Sequence, residues 1–274
     1  MLAQLKETTA WIQERVAEIP EIAIILGTGL GDLTTSIEET IAFSYEEIPH
    51  FPLSTVEGHR GKLIFGKLGE KKVMVLQGRF HYYEGYDMKQ VTYPIRVMQL
   101  LGIKYLFVSN AAGGMNRSFQ VGDIMLIEDH INLFPEHPLR GKHDPRLGLR
   151  FPDMSEAYSL ELRHVALEIA KENNIKLQTG VYVGTQGPSF ETPAEYNYLR
   201  IMGGDTVGMS TVPEVIVAVD AQIKVLAFSV VTDLAIAGRI EKVTHAEVME
   251  AAKLAQANLT FLIKEVITRV SVSR

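Results

Sequence analysis

The sequence predicts an α/β protein with a central, mixed but mostly parallel twisted sheet that helices flank on both sides. Short apolar runs alternate with longer helical patterns. The short runs are apolar at successive positions, whereas a strand with one face exposed to solvent would alternate apolar and polar residues, so these strands should be buried on both faces. One segment, Lys62 to Leu76, places Gly69-Glu70 between two apolar runs and predicts an antiparallel hairpin, so the sheet should be mixed. The predicted buried strands are Ile22 to Leu26, Val73 to Leu76, Tyr105 to Val108, Ile124 to Ile127, Gly180 to Val183 and Val225 to Val231.

Helical patterns fill the intervals between these strands. The last of them keeps one apolar face from Val248 to Val270. The N-terminus also reads as an amphipathic helix, because apolar residues recur there at spacings of three and four, rather than as a signal peptide. The remaining predicted helices are Met88 to Leu101, Leu160 to Asn173, Pro193 to Met202 and Pro213 to Ala221.

Composition limits the class of function. The chain has 274 residues, 46% hydrophobic and 22% charged, with a formal net charge of -6. It has no cysteine, which excludes disulfides, thiolate metal sites and a cysteine nucleophile. The acidic balance disfavours a nucleic-acid binder, and no run approaches the roughly 20 apolar residues of a membrane span. We expect one domain over residues 1–274, a cytoplasmic location and small-molecule ligands.

Glycine-rich and cationic segments follow several predicted strands. The turn Gly27 to Gly31 after the first strand offers backbone amides and the Thr28 hydroxyl to an anion, or is simply a tight turn. Asp32 stands where a dinucleotide fingerprint needs glycine, which weakens an oxidoreductase reading. His59 and the segment Gly78 to Gly85, with Arg79 and His81, supply further donors for an oxyanion, the alternative being solvated loops.

Polar and small residues also follow three later strands. Ser109 to Gly114 would let a ligand approach the backbone, or would form a tight turn between strand and helix. Phe190 next to Glu191 offers an aromatic face and a carboxylate for a planar heterocycle. Asp233 ends the strand from Val225, either as a ligand or as a strand-end cap. The proline-rich segment from Phe134 to Pro152 predicts a long loop of the kind that is often functional.

Taken in order, these segments resemble the trimeric purine nucleoside phosphorylases, the family that also contains methylthioadenosine phosphorylase. The resemblance spans nearly the whole chain and includes nine motifs in the family's order, which makes it highly specific. It implies reversible phosphorolysis of purine ribonucleosides and deoxyribonucleosides to free base and ribose 1-phosphate, without metal or cofactor. The motifs are GTGLG, EGHRG, GRFHYYEGY, SNAAGG, RFPDMS, GPSFET, GMST, SVVTD and THAEV.

The resemblance also implies roles for individual residues. Catalytic roles fall to His81, Glu191 and Asp233. Phosphate would be held by Thr28, His59, Arg79, His81, Ser210 and the backbone of Ala111. The ribose would be contacted by Tyr83, Met209, His245 and Phe151, and Phe151 would come from a neighbouring subunit of a homotrimer. The base would be contacted by Phe190, Glu191, Val207, Thr232 and Asp233.

Asp233 leaves the preferred base open. Relatives specific for 6-oxopurines carry asparagine there, whereas the methylthioadenosine branch carries aspartate. Glu191 and His245 match the 6-oxopurine branch, because an ionised Glu191 accepts the N1–H of hypoxanthine or guanine and His245 meets a free 5′-hydroxyl. We therefore expect inosine and guanosine to be preferred. The alternatives are a methylthioadenosine or adenosine phosphorylase, a nucleoside hydrolase that uses water, and a binding module without turnover.

Overall fold

A computed structural model describes residues 1–28, 30–56, 60–236, 242 and 244–271. Its strands are β1 (Ile22–Leu26), β2 (Glu38–Ser44), β3 (Lys62–Leu68), β4 (Lys71–Gln77), β5 (Tyr105–Gly114), β6 (Ile124–Asn132), β7 (Leu177–Gly184), β8 (Thr206–Gly208) and β9 (Lys224–Leu234). Its helices are α1 (Leu2–Gln13), α2 (Met88–Val91), α3 (Tyr93–Leu101), α4 (Leu160–Glu172), α5 (Pro193–Ile201), α6 (Val212–Asp220) and α7 (His245–Arg269).

The nine strands form one mixed sheet in the order β2-β3-β4-β1-β5-β8-β7-β6-β9. Strand β9 also pairs with β5, so the five strands from β5 to β9 close on themselves. Strand β1 is parallel to both of its neighbours, whereas β3 and β4 form the antiparallel hairpin that the sequence predicts. The predicted fold class is confirmed.

Both faces of the sheet are covered, as the continuous apolar runs require. Ala23 and Ile25 of β1 pack in a cluster with residues of α1, α3 and α6, while Ile22 and Ile24 pack in a second cluster with residues of α4 and α7. Successive side chains of a strand point to opposite faces, so a strand between two helical layers needs apolar residues at every position.

Several predicted boundaries differ from the structure. The tight turn, one of the two alternatives for Ser109 to Gly114, does not form, since β5 continues to Gly114 and pairs with β9 along its length. The predicted helix from Met88 to Leu101 is divided at Thr92, and Pro94 follows in the first turn of α3, where its missing N–H costs nothing. The sequence analysis did not identify β2 or the short β8.

Candidate active site

A cavity of about 330 Å³ opens where β1, β4 and β9 end and where the second half of β5 meets the segments after β7 and β8. Of the predicted site residues that the structure describes, all except Phe151 line it, and His59 lies outside the described residues. The structure therefore brings together thirteen residues from widely separated segments of the sequence. They are Thr28, Arg79, His81, Tyr83, Ala111, Phe190, Glu191, Val207, Met209, Ser210, Thr232, Asp233 and His245.

Two glycines allow the backbone to approach closely around this cavity. A Cβ at Gly27 would lie 2.6 Å from the carbonyl oxygen of Ser109, so β1 and β5 could not meet at this point with a larger residue. A Cβ at Gly113 would lie 3.1 Å from Oδ2 of Asp233, its partner in the register of β5 and β9. The Asp233 carboxyl group thus packs against bare backbone.

Arg79 is the buried cation at one end of the cavity, with only 2% of its surface exposed. Its Nε and Nη2 atoms donate to the two carboxylate oxygens of Glu214 at 3.1 and 3.0 Å. Its Nη1 donates to the carbonyl oxygen of Ser109 at 2.7 Å and to Oγ of Ser210 at 3.3 Å. The forked donor pair that the sequence predicts for an anion therefore faces a carboxylate of the protein itself.

His81 lies at the same end and is held by Glu84. Its Nδ1 is 2.9 Å from Oε1 of Glu84, and its ring stacks on Tyr83 with centroids 4.6 Å apart. Burial lowers the pKa of His81, an effect that the Glu84 hydrogen bond opposes. Although burial acts to raise the pKa of Glu84, hydrogen bonds from His81 and Thr55 lower it to about 2.

Two carboxyl groups face the other end of the cavity. Glu191 accepts a hydrogen bond from Thr185 at 3.0 Å and one from Tyr196. Asp233 accepts one from Thr232 at 3.1 Å. Burial raises the pKa of Glu191, and the nearby Asp233 adds to this shift. Burial also raises the pKa of Asp233. This end can therefore offer both a carboxylate and a carboxylic acid to a ligand.

The site has an aromatic and aliphatic lining at this second end. Phe190, 46% exposed, stands beside Glu191 at the mouth, and Val207 of β8 is buried opposite Gly113. Such a lining suits one face of a planar heterocycle, while the two carboxyl groups address polar atoms at its edge.

Comparisons with known proteins agree with this geometry. A family model described as the phosphorylase superfamily matches residues 21–268. Purine nucleoside phosphorylase 1 of Geobacillus stearothermophilus is 47% identical over 97% of this chain and 97% of its own length. The chain belongs to the phosphorylase superfamily and, within it, to the purine nucleoside phosphorylases. Among curated mammalian relatives, purine nucleoside phosphorylase of Rattus norvegicus is 48% identical over 93% of this chain and 90% of its own.

Solved structures of purine nucleoside phosphorylases share the fold throughout. The Schistosoma mansoni enzyme in complex with adenosine has a TM-score of 0.94, 42% identity and coverage of 99% of each chain. A schistosoma enzyme in complex with hypoxanthine has a TM-score of 0.93 and 42% identity, covering 99% of this chain and 98% of that one. The expected family is confirmed, and this chain is an enzyme of it.

The sequence analysis missed several residues around the cavity, and three of them carry polar groups that bear on the site: Glu84, Glu214 and Tyr196. Glu84 lies within GRFHYYEGY, and its spacing of three residues from His81 could have identified it as a partner. Glu214 forms a Thr-x-x-Glu signature with Thr211, typical of a helix start, but nothing local predicts its pairing with Arg79. Tyr196 lies on α5, one turn after Glu191, and lines the cavity.

Phe151 does not join the cavity of its own chain. It lies in the predicted long loop, which contains no helix or strand, and 85% of its surface is exposed. An exposed aromatic ring at this position is compatible with the expected contact to a neighbouring subunit.

In the part of the chain that the structure describes, no group of three or more histidine and acidic side chains could hold a metal ion. Within the same residues, no helix is both long enough and apolar enough to cross a membrane.

Proposed function

We propose that this chain catalyses the reversible phosphorolysis of purine nucleosides. Inosine and guanosine are the preferred substrates, and the corresponding deoxyribonucleosides are substrates as well. The products are the free base and ribose 1-phosphate. One observation carries the proposal: a single cavity combines a buried guanidinium with hydroxyl donors at one end and an aromatic ring with two carboxyl groups at the other. The ribose would span the distance between them, beside Tyr83, Met209 and His245.

At the first end, phosphate is the nucleophile. Cleavage of the glycosidic bond builds positive charge on the ribose, and a phosphate fixed below the sugar attacks C1′ and compensates that charge. Thr28, Ser210, Nη1 of Arg79 and the amide of Ala111 would donate to its oxygens, and His81, whose Nδ1 donates to Glu84, would add a donor at Nε2 when its ring is protonated. Their part is to orient the anion and to stabilise the transition state by fixed dipoles, which requires no covalent intermediate with the enzyme.

At the second end, the leaving purine accumulates negative charge at N7. An ionised Glu191 accepts from N1–H of hypoxanthine or guanine, whereas adenine has an acceptor at N1 and would leave the carboxylate unpaired. A protonated Asp233 donates to N7, and its raised pKa favours that form. Phe190 and Val207 would pack against the ring, with Thr232 fixing the orientation of Asp233.

Asp233 favours a second candidate, an adenosine or methylthioadenosine phosphorylase. Its carbonyl oxygen can accept from a 6-amino group while the acid proton goes to N7. The structure of the Schistosoma mansoni relative in complex with adenosine shows that a member of this family can bind a 6-aminopurine nucleoside. Glu191 and the polar His245 near the expected 5′-hydroxyl oppose this candidate, so we rank adenosine as a poor but detectable substrate.

We further infer a homotrimer in which the loop that bears Phe151 closes the ribose pocket of a neighbouring subunit. The exposure of Phe151 and its absence from its own cavity support this arrangement. We expect a cytoplasmic enzyme of purine salvage that takes only the nucleoside and inorganic phosphate, with no metal or cofactor and no nucleic-acid or membrane partner.

The test is release of hypoxanthine, guanine and adenine from their nucleosides, and of adenine from methylthioadenosine, with and without phosphate. We expect phosphate-dependent release that is fastest from inosine and guanosine. Fastest release from methylthioadenosine would support the second candidate. Phosphate-independent release would indicate a hydrolase, and saturable binding with no base release would indicate a binding module.

A further inference from the structure

Glu214 on α6 forms a buried ion pair with Arg79 that the proposed mechanism does not use. Its two carboxylate oxygens accept from Nε and Nη2 of Arg79 at 3.1 and 3.0 Å. The two side chains are 4% and 2% exposed. A pair at this depth has little solvent screening, so each charge strongly affects any other ion nearby. The pair as a whole carries no net charge.

The role of Glu214 in capping helix α6 does not by itself explain why its carboxylate is buried. Glu214 also accepts the backbone N–H of Thr211 at 3.1 Å, as the third residue of a Thr-x-x-Glu helix start. Helices α5 and α7 begin with the same signature, and there Glu195 and Glu247 accept from the capping threonine while exposed to solvent. Glu214 differs from these two in being buried against a guanidinium.

The pair determines which side of Arg79 faces the cavity. With Nε and Nη2 directed at Glu214, Nη1 points to the carbonyl oxygen of Ser109 and to Oγ of Ser210. Ser210 directly precedes Thr211, whose backbone has a φ of 68° and whose N–H is bound by the same carboxylate. Glu214 thus ties together two residues that line the phosphate end, Arg79 and Ser210.

We propose that Glu214 is a positioning residue that serves as the resident counter-anion of Arg79. It fixes the guanidinium with Nη1 towards phosphate, and it cancels most of the positive charge that phosphate would otherwise meet. The inference rests on the proposed function, because it takes phosphate as the anion at this end. Its consequence is that phosphate is held by directed hydrogen bonds and exchanges readily, instead of being trapped by a buried, uncompensated cation.

Direct binding of inorganic phosphate tests this inference. Titration calorimetry without nucleoside compares the wild type with Glu214→Gln, which keeps the shape of the side chain and removes its charge. We expect phosphate to bind at least tenfold more tightly to the variant, because the phosphate anion then meets a guanidinium whose charge Glu214 no longer compensates. Affinity that is unchanged, as for a purely structural pair, or weaker would overturn the proposal.

Asp220→Asn is the matched control. Asp220 lies on the same helix, is also buried and pairs with Arg96 at 2.5 Å, but it lines a different cavity. This variant should lose stability and keep the phosphate affinity of the wild type. An equal rise in affinity in both variants would contradict a specific role for Glu214.

A pair of further variants covers the case in which Glu214→Gln does not fold. Arg79→Met leaves the Glu214 carboxylate buried and facing phosphate, whereas Arg79→Met with Glu214→Met buries no charge, a replacement that folded proteins often tolerate. The double variant should bind phosphate at least tenfold more tightly than the single one, and equal binding would overturn the inference. Phosphate-dependent release of hypoxanthine by the wild type separately tests the proposed function.

Discussion

The two ends of the cavity are built differently. At the phosphate end, the ionisable side chains are paired within the protein: Arg79 with Glu214 and His81 with Glu84. At the base end, Glu191 and Asp233 receive hydrogen bonds from neutral hydroxyl and backbone groups, and burial raises the pKa of both. The first end is preorganised for one ligand. The second keeps carboxyl groups whose protonation can follow the ligand, so discrimination between purines should reside there.

The largest effect is expected from Arg79→Ala, which removes the ion pair at the phosphate end. The variant removes a donor to phosphate and leaves Glu214 as an uncompensated buried charge, which costs about 3–5 kcal/mol of stability. Loss of a charged hydrogen bond alone costs about 1.5–3 kcal/mol, equivalent to roughly 10- to 150-fold. We expect kcat/KM for phosphate to fall by at least this factor, as measured by initial rates at saturating inosine. An unchanged phosphate dependence would remove Arg79 from the site.

Glu84→Gln should reveal how strongly the phosphate end is preorganised. The folded pKa of Glu84, about 2, lies below its unfolded value, so its ionised form stabilises the fold at neutral pH. That contribution, on the order of 3 kcal/mol, is fully present above the unfolded pKa and is lost as the pH falls towards 2. Urea unfolding from pH 7 to pH 3 should therefore show a stability gap between the two proteins that narrows in acid. A gap that is constant with pH would contradict this account.

Asp233→Asn sharpens the comparison at the base end. The amide always donates to N7 and can donate to a 6-oxo group, so the ratio of kcat/KM for inosine over adenosine should rise about tenfold, or roughly 1.4 kcal/mol. Because the pKa of Asp233 is raised, the wild type should lose inosine activity as the pH rises through that pKa, and the variant should not. If neither the ratio nor the pH profile changes, Asp233 is only a strand-end cap.

The smallest effect is expected from Phe151→Gly, because Phe151 touches neither end of its own cavity. KM for inosine should rise several-fold through the neighbouring site, while the phosphate affinity and the melting temperature of the protomer change little, since the side chain is 85% exposed. Sedimentation checks the trimer in parallel. A fully active monomer at assay concentrations would refute the shared site.

The sequence predicted the fold class and most residues that line the cavity. It did not predict the side-chain pairs that hold those residues in position. Strand periodicity and ordered motifs identified Arg79, Glu191 and Asp233, because those signals are local or recur within the family. The pairing of Arg79 with Glu214 joins residues 135 positions apart and depends on tertiary packing, which no local pattern reports. The continuation of β5 through Ser109 to Gly114 was missed because small residues indicate a turn until a partner strand such as β9 is known.

The central claim is that one end of the cavity supplies phosphate as the nucleophile for a purine nucleoside bound at the other. The most direct measurement is the ratio of ribose 1-phosphate to hypoxanthine formed from inosine as phosphate is titrated from zero. We predict one ribose 1-phosphate for each hypoxanthine, with the rate falling to background when phosphate is absent. Hypoxanthine release that persists without phosphate and yields free ribose would contradict the account.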